Sequence, residues 1–245
     1  AGLLSPHVHR SYGGHGLSHR GRAVVFEEAG YSMLGPVALN IHAPDEGNIH
    51  LLDVVATPAH RQKYLKRLAT GEIIGAFCLS EPEAGSDATS QRTTAEDKGD
   101  HYILNGTKNW ITNGGTASVY LVIAQTDPAK GHKGISVFIV EKGWPGVVVG
   151  GKENKLGIRG SDTHTLQFND VKVPKENRIG EDGFGFRFAM KTLSGGRIGI
   201  ASQALGIASG AYELALQYSK ERKAFGTEIM NHQIIAFKLA DMVTR

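Results

Sequence analysis

The sequence predicts an α+β protein in which helices come first, an all-β module follows, and the start of a helical bundle completes the chain. Three observations predict this order: helical periodicity up to about residue 71, short β-rich segments between residues 73 and 180, and helical periodicity again from residue 181. A length of 245 residues, with 40% hydrophobic and 21% charged residues, is typical of a globular chain with one large core or two small ones.

The first segment is helical but interrupted. Residues 23–33 and 45–56 are short apolar-periodic runs, and Pro58 is placed to open a third helix that continues to residue 69. Gly71 follows this helix and ends it. We assign residues 1–72 to an N-terminal helical domain, which begins at Ala1 without Met and is expected to be incomplete.

The middle segment, residues 73–180, consists of β-rich runs at 73–79, 101–105, 119–125, 134–140, 147–149 and 163–173. Turn clusters at 105–106, 113–115 and 144–146 separate these runs. Because no helix lies between the strands, the pattern favours an antiparallel barrel or sandwich over a βαβ fold.

The last segment, residues 181–245, shows helical periodicity over 184–216 and 230–243. Its final helix carries a wide apolar surface that needs partner helices. We interpret this segment as the first part of a helical bundle and expect it to be truncated.

Composition excludes several classes of protein. A net charge of +3 with scattered Lys and Arg predicts no nucleic-acid or membrane partner, and the longest uncharged stretch, 198–212, is too rich in Gly, Ser and Ala to span a membrane. The only cysteine, Cys78, favours a reducing compartment and a core position. Seven of the eleven histidines fall in the first sixty residues, but no carboxylate lies at helical spacing to His7, His9, His15 or His19, so we predict no metal site.

Common catalytic fingerprints are also absent from the sequence: it contains no G-x-G-x-x-G, P-loop, G-x-S-x-G, H-E-x-x-H or cysteine-pair motif. Two other segments are informative. In residues 77–87, a strand leads into a loop with Pro82, Gly85 and Ser86, which suits a pyrophosphate or another ligand that binds backbone amides. Trp110 and Thr112 follow a strand and offer a flat heteroaromatic cofactor an aromatic face and a hydroxyl.

With both motifs on a β-module between helices, the chain resembles the acyl-CoA dehydrogenase family of flavoproteins from about residue 71 onward. The similar motifs are 79–82, 85–87, 104–108, 110–113, 155–161 and 196–206. The last of these, with 222–226, looks most like the short-chain (butyryl-CoA) branch, whereas residues 1–57 look more like a longer-chain branch. The resemblance implies an N-terminal helical domain, a central antiparallel β-barrel and a C-terminal four-helix bundle, usually in a homotetramer.

The resemblance also implies a set of site residues. FAD would lie between barrel and bundle, lined on the barrel side by Phe77, Cys78, Leu79, Ser80, Gly85, Ser86, Trp110, Ile111 and Thr112. Residues implied to reach the FAD of a neighbouring subunit are Arg222, Phe225 and Gln233. Those implied to lie near acyl-CoA are Ser86, Ser194 and Arg197, although Ser194 stands where the family usually has an acidic residue.

The family reaction removes a proton α to a thioester carbonyl while hydride passes to the flavin, which requires a carboxylate base. The resemblance places that base beyond residue 245, and the one branch that carries it earlier has it at the position of Gly196. We therefore predict an FAD-dependent acyl-CoA dehydrogenase, whose 245-residue chain does not desaturate acyl-CoA by itself. An acyl-CoA oxidase-type flavoenzyme and a non-catalytic FAD- and CoA-binding subunit are the alternatives.

Two further expectations come with the resemblance. An electron-transferring flavoprotein would accept the electrons, and the chain would assemble as a homotetramer or dimer. The compartment would be the bacterial cytoplasm or the mitochondrial matrix.

Overall fold

A computed structural model describes residues 2–244 of the protein. Its α-helices are α1 (His19–Gly30), α2 (Gly35–Ala38), α3 (Asp45–Val55), α4 (Pro58–His60), α5 (Lys66–Ala69), α6 (Gly185–Glu221) and α7 (Gln233–Thr244). Its strands are β1 (Gly75–Cys78), β2 (Thr94–Asp97), β3 (His101–Thr112), β4 (Val119–Gln125), β5 (Ile135–Glu141), β6 (Val147–Lys152), β7 (Thr163–Pro174), β8 (Arg178–Ile179), β9 (Lys223–Ala224) and β10 (Thr227–Glu228). A π-helical turn, Arg61–Leu65, joins α4 to α5.

The chain forms two compact units. The first contains residues up to Leu17 together with Asn40–Gly196, and thus the main sheet, α3 to α5 and the first turns of α6. The second contains Ser18–Leu39 together with the residues from Arg197 onward. The linear division into residues 1–72, 73–180 and 181–245 stays a prediction, because the compact units follow packing and not sequence order.

Local capping explains where several helices begin. The Ser18 hydroxyl accepts the amide of Gly21 at the start of α1, at 3.4 Å, and Thr57 accepts the amide of His60 at 3.2 Å. Both are N-cap contacts that satisfy otherwise unpaired amides. The helix predicted over 58–69 is present as α4, the π-helical turn and α5, with Pro58 in the first turn.

The central β-module is an open mixed sheet of eight strands in the order β6-β7-β3-β2-β4-β5-β8, with β1 paired to β4. The predicted antiparallel β-barrel is therefore wrong, because the sheet is mixed and is not closed, whereas the predicted order of a helical N-terminus, a central β-module and C-terminal helices is confirmed. Within residues 2–244, β6 pairs only with β7, and the two-residue β8 pairs only with β5, so no ladder closes the sheet. The pairs β1–β4 and β2–β4 are parallel. The chain that connects β1 to β4 contains β2 and β3, and the chain that connects β2 to β4 contains β3, so strands stand where a crossover helix is usual.

One predicted turn is a strand in the structure. β3 continues through Asn105 and Gly106, where the sequence predicted a turn, with a shift in its register against β7. The Asn105 side chain instead pairs with Asp170 of β7, donating to its carboxylate at 2.9 Å and accepting its amide at 2.8 Å. A Cβ on Gly106 would lie 2.5 Å from Thr93 Oγ1, so the glycine serves close packing between strands.

Two hydrophobic cores hold the first unit together. The first lies between one face of the sheet and helices α3 to α5, and includes Leu52, Leu65, Leu121 and Ile139. The second lies on the opposite face of the sheet and includes Tyr120, Phe138, Leu166 and Phe168. β4 is buried along its whole length because both cores share it, which explains its continuous apolar run.

In the second unit, α1 packs closely against the distal half of α6. A Cβ on Gly30 would lie 2.4 Å from Gln203 O, and one on Gly206 would lie 1.9 Å from Glu27 O. These glycines therefore let the two helix backbones approach each other. Of the helices within residues 2–244, none combines the length and apolar character needed to cross a membrane.

Candidate functional site

The loop that follows β1 exposes hydrogen-bond donors. Backbone bonds in both directions between Glu81 and Ala84, at 3.0 and 3.2 Å, close a tight turn. Gly85 and Ser86 come next and are exposed, and within residues 2–244 their amides have no protein hydrogen-bond partner. Such free amides suit an anionic or amide-binding ligand.

Three hydroxyl groups in this region are also free. Within the described part of the chain, no protein group hydrogen-bonds to the hydroxyls of Ser80, Ser86 or Thr112. All three residues are at least partly exposed. Because hydroxyl groups that reach no protein partner remain available to solvent or ligand, this arrangement fits the polar contacts implied for these residues.

A buried lysine on β3 holds the loop from beneath. Lys108 is completely buried, and its Nζ donates to Glu81 Oε1 at 2.8 Å, to Leu79 O at 3.0 Å and to Gln91 Oε1 at 3.1 Å. These contacts use all three donors of the ammonium group. Lys108 therefore joins three segments of the chain that are separate in sequence.

Glu81 completes this buried network. Its carboxylate also accepts the amides of Arg92 at 2.6 Å and Thr93 at 3.0 Å. Burial by itself raises the pKa of Glu81, but the charge of Lys108 and these amides outweigh burial and lower it below its usual value. Glu81 is consequently ionised at neutral pH, and its bonds to Lys108 and the two amides make it part of the packing of the loop.

A β-bulge turns Trp110 outward from the sheet. Lys108 pairs with Leu166 and Ile111 pairs with His164, so β3 has one extra residue between these pairs. Trp110 lies in that bulge with φ +59° and is 56% exposed. A bulky residue in this conformation costs about 1–3 kcal/mol, and such strain is concentrated at functional sites.

The bulge is tied directly to the loop. The amide of Asn109, next to Trp110, donates to Ser80 O at 2.8 Å. Together with the bond from Lys108 to Leu79 O, this makes two successive residues of β3 hold two successive residues of the loop. The two motifs that the sequence analysis singled out therefore lie side by side.

A carboxylate organises the turn after Thr112. Asp162 accepts the amides of Gly115 and Thr116, both at 2.8 Å, and its Oδ1 lies 2.8 Å from His164 Nε2. Partial burial raises the pKa of Asp162, but the Thr116 and Gly115 amides and His164 prevail and lower it. The turn is thus held by an ionised carboxylate.

The N-terminal domain of acyl-CoA dehydrogenases matches residues 1–72, the middle domain matches 76–171, and the C-terminal domain matches 183–245. The chain belongs to the acyl-CoA dehydrogenase family.

A short-chain specific acyl-CoA dehydrogenase of Clostridium acetobutylicum is 47% identical over 241 residues, which is 98% of this chain and 63% of the relative. The structure of butyryl-CoA dehydrogenase from Megasphaera elsdenii superposes with a TM-score of 0.89 at 45% identity, covering 99% of this chain and 64% of that one. A chain from the structure of the electron transferring flavoprotein of Acidaminococcus fermentans superposes with a TM-score of 0.90 at 45% identity. The superposition covers 99% of this chain and 64% of that one. The chain thus spans less than two thirds of these relatives.

The predicted flavin-lining residues on the β-module differ in what they can offer a ligand. The side chains of Cys78 and Ile111 are buried in the second core, so only their backbone atoms can face a ligand. Burial raises the pKa of the Cys78 thiol to about 12, which makes it a core residue rather than a nucleophile. Phe77 and Leu79 pack against the first core, while Trp110 is turned toward solvent.

Three of the remaining predicted residues surround a short hairpin in the second unit. β9 and β10 are joined by Phe225 and Gly226, both with positive φ, as in a type I′ turn. Phe225 is 98% exposed at the tip, Arg222 directly precedes the hairpin and Gln233 begins α7. Ser194 and Arg197 are exposed on α6, where Ser194 Oγ donates to Met190 O at 2.9 Å.

Sequence reasoning missed the residues that support the site. Lys108 was part of a recognised motif but received no role, and Asp45 and Asp162 received none either. A lysine at an inward position of a strand is a signal of a buried ion pair, because an unpaired buried charge is too costly. Within residues 2–244, no group of three or more His, Cys, Asp or Glu side chains is arranged to hold a metal ion.

Proposed function

We propose that the protein acts as an FAD-dependent dehydrogenase that introduces a double bond between the α and β carbons of acyl-CoA thioesters, most similar to the short-chain type. The observation that carries the proposal is that the loop leading to Gly85 and Ser86 is bound, at Leu79 and Ser80, to the strand residues that precede the outward-facing Trp110. Lys108 and Asn109 hold these two features together. A flavin dinucleotide requires both a donor-rich loop and an aromatic face.

The chemistry of the donor set fits FAD. The free amides and hydroxyl at Gly85 and Ser86 suit the pyrophosphate, since backbone amides bind phosphate oxygens well. Trp110 would lie against the isoalloxazine, with the free Thr112 hydroxyl as a polar contact. An open cleft of about 230 Å³ beside Glu83 and Arg92 is too small for such a ligand, so this cleft is not the proposed site.

FAD supplies the acceptor for the hydride when it is bound. The residues of this chain bind and orient: Trp110 shields one side of the ring from water, while Ser86, Ser194 and Arg197 hold the acyl-CoA. The carboxylate that removes the α-proton lies outside residues 2–244 in this proposal. Arg222, Phe225 and Gln233 would contact the FAD of a neighbouring subunit in a homotetramer or dimer, and a guanidinium pairs well with pyrophosphate.

An electron-transferring flavoprotein is the proposed acceptor of the electrons. The structural similarity to a chain from the structure of such a flavoprotein supports this choice. The bacterial cytoplasm or the mitochondrial matrix is the proposed compartment, as the family resemblance suggests.

The test uses the purified 245-residue protein, freed of flavin and then mixed with FAD. Binding is measured by the quenching of flavin fluorescence, with riboflavin as the control ligand that lacks the pyrophosphate and adenosine. The loaded protein is then titrated anaerobically with butyryl-CoA while the visible flavin band is followed.

The proposal is supported if FAD binds saturably and much more tightly than riboflavin. Little bleaching of the bound flavin by butyryl-CoA then supports the position of the catalytic carboxylate outside residues 2–244. Rapid bleaching supports the dehydrogenase activity but contradicts the external position of the base. Absence of FAD binding contradicts the proposed function as a whole.

A further inference from the structure

The loop and the bulge of the candidate site meet through one buried side chain. We propose that Lys108 is a positioning residue for the cofactor: it sets the separation between the loop at Leu79 and Ser80 and the strand segment that carries Trp110. This proposal rests on the proposed function and deepens it. In this proposal, the positions of the flavin-contacting residues are set by Lys108, which itself touches no ligand.

The geometry restricts Lys108 to this indirect role. Its side chain has no exposed surface, and its ammonium group is occupied by Glu81, Gln91 and the Leu79 carbonyl. No donor remains for a ligand. Lys108, however, lies two positions before Trp110 on the same strand, and its Nζ donates to the carbonyl oxygen of Leu79, the residue before Ser80. A displacement of Lys108 would therefore move both sides of the site.

The partners of Lys108 are themselves held by other contacts. A shift of Lys108 would therefore shift the loop with it. Glu81 is held by the amides of Arg92 and Thr93. Thr93 in turn packs against Gly106 of β3, at a separation that leaves no room for a Cβ. The loop, β2 and β3 thus form one rigid frame around the ammonium group.

Stability alone does not account for a charged pair at this place. Replacing both members of a buried ion pair by neutral or apolar groups is often neutral or stabilising, because the desolvation penalty offsets the attraction. Removing one member leaves an unpaired buried charge and is strongly destabilising. A double replacement therefore separates the positioning role from the structural one.

The experiment compares wild type with Lys108→Met and with the double variant Lys108→Met/Glu81→Gln. The glutamine offers one acceptor oxygen where the carboxylate offers two, so it retains the bond to only one of the Arg92 and Thr93 amides. Both charges are lost. Lys175→Met is the control, because it removes an exposed lysine that pairs with Asp97 in the same sheet. The thermal midpoint without FAD, the dissociation constant for FAD and the visible circular dichroism of bound flavin are measured.

We expect the double variant to remain folded without FAD, with a thermal midpoint lowered only by the loss of one amide bond to residue 81. It should bind FAD at least tenfold more weakly and show an altered visible dichroism. The Lys175→Met control should match wild type in all three measurements. Wild-type FAD affinity and dichroism in a folded double variant would overturn the proposal. So would loss of the fold in the double variant, because Lys108 would then be a stabilising residue only. Failure of the wild type to bind FAD would instead contradict the proposed function.

Discussion

The carboxylate of Asp45 on α3 accepts the amide of Gly75, the first residue of β1, at 2.9 Å. Asn48 donates to the same oxygen at 3.2 Å, and a Cβ on Gly75 would lie 2.8 Å from it. Asp45 is almost fully buried, and burial prevails over these two bonds and raises its pKa to about 6. The helix is therefore tied to the strand that leads into the candidate site by a carboxyl that titrates near neutral pH.

Asp45 should make stability depend on pH. Its pKa is higher in the folded state than the usual 3.8, so its contribution is complete below about pH 4 and is lost as the pH rises through 6. The shift corresponds to about 3 kcal/mol. His42 Nε2 lies 3.7 Å from Asp45 Oδ2. It does not offset the cost of ionising Asp45, because burial lowers the pKa of His42 and disfavours its charged form.

Asp45→Asn retains an acceptor for Gly75 but cannot ionise. From pH 4 to pH 7 we expect its free energy of unfolding to rise relative to wild type by about 3 kcal/mol, measured by urea denaturation at each pH. Asp53→Asn, on the same helix, controls for the loss of a carboxylate. A difference between wild type and Asp45→Asn that stays constant over this range would show that Asp45 does not titrate there.

The strained conformation of Trp110 should lower the stability of the FAD-free protein, while its aromatic face contributes to FAD binding. Glycine adopts positive φ without strain, so Trp110→Gly should stabilise the FAD-free protein by about 1 kcal/mol. Its affinity for FAD should fall at least tenfold, because the aromatic face is lost. Ile158→Gly is the matched control, since Ile158 has φ +48° and is 84% exposed. It should gain similar stability with unchanged FAD affinity; a parallel loss of affinity in the control would refute the role of Trp110.

The contact between α1 and α6 should be sensitive to a single methyl group. Gly206→Ala places a Cβ against the Glu27 carbonyl and should destabilise the protein by at least ~2 kcal/mol. Gly196→Ala, in the same helix, meets nothing within 4 Å and should stabilise it by about 0.5–1 kcal/mol. Thermal unfolding of both variants checks the prediction. Equal effects would mean that the close approach of the two helices is absent in solution.

Phe225 should matter for binding but not for folding. Asparagine is favoured at the first position of a type I′ turn, so Phe225→Asn should keep or slightly raise the thermal midpoint. If Phe225 reaches the FAD of a neighbouring subunit, the variant should bind FAD more weakly. Met33→Asn, which replaces a side chain that is 97% exposed, controls for loss of surface hydrophobicity. Unchanged FAD affinity in Phe225→Asn would contradict the proposed subunit contact.

Much of the fold could be predicted from local patterns. β4 coincides with the predicted run at 119–125, and the long helix predicted from 184 is α6. These elements carry strong periodicity or continuous burial, which local sequence reports directly. β2 and β8 were missed because they are short and take their stability from pairing with neighbouring strands.

The candidate site was predictable only in part. The motifs around Ser86 and Trp110 are contiguous in sequence, and their residue types indicate their chemistry. Their adjacency depends on Lys108 and Asn109, whose partners at Leu79 and Ser80 are nearly thirty residues away. Such long-range contacts leave no local signal.

The sequence by itself determined the order of helical and β segments, the donor-rich loop, the Trp110-to-Thr112 motif and the resemblance to a family. Tertiary structure decided that the sheet stays open, that the buried Lys108 holds the loop to the bulge, and that segment 18–39 packs with the end of the chain. The reason is physical: propensity and periodicity act over a few residues. Sheet closure, burial of a charge and backbone approach at glycine depend on which distant segments become neighbours.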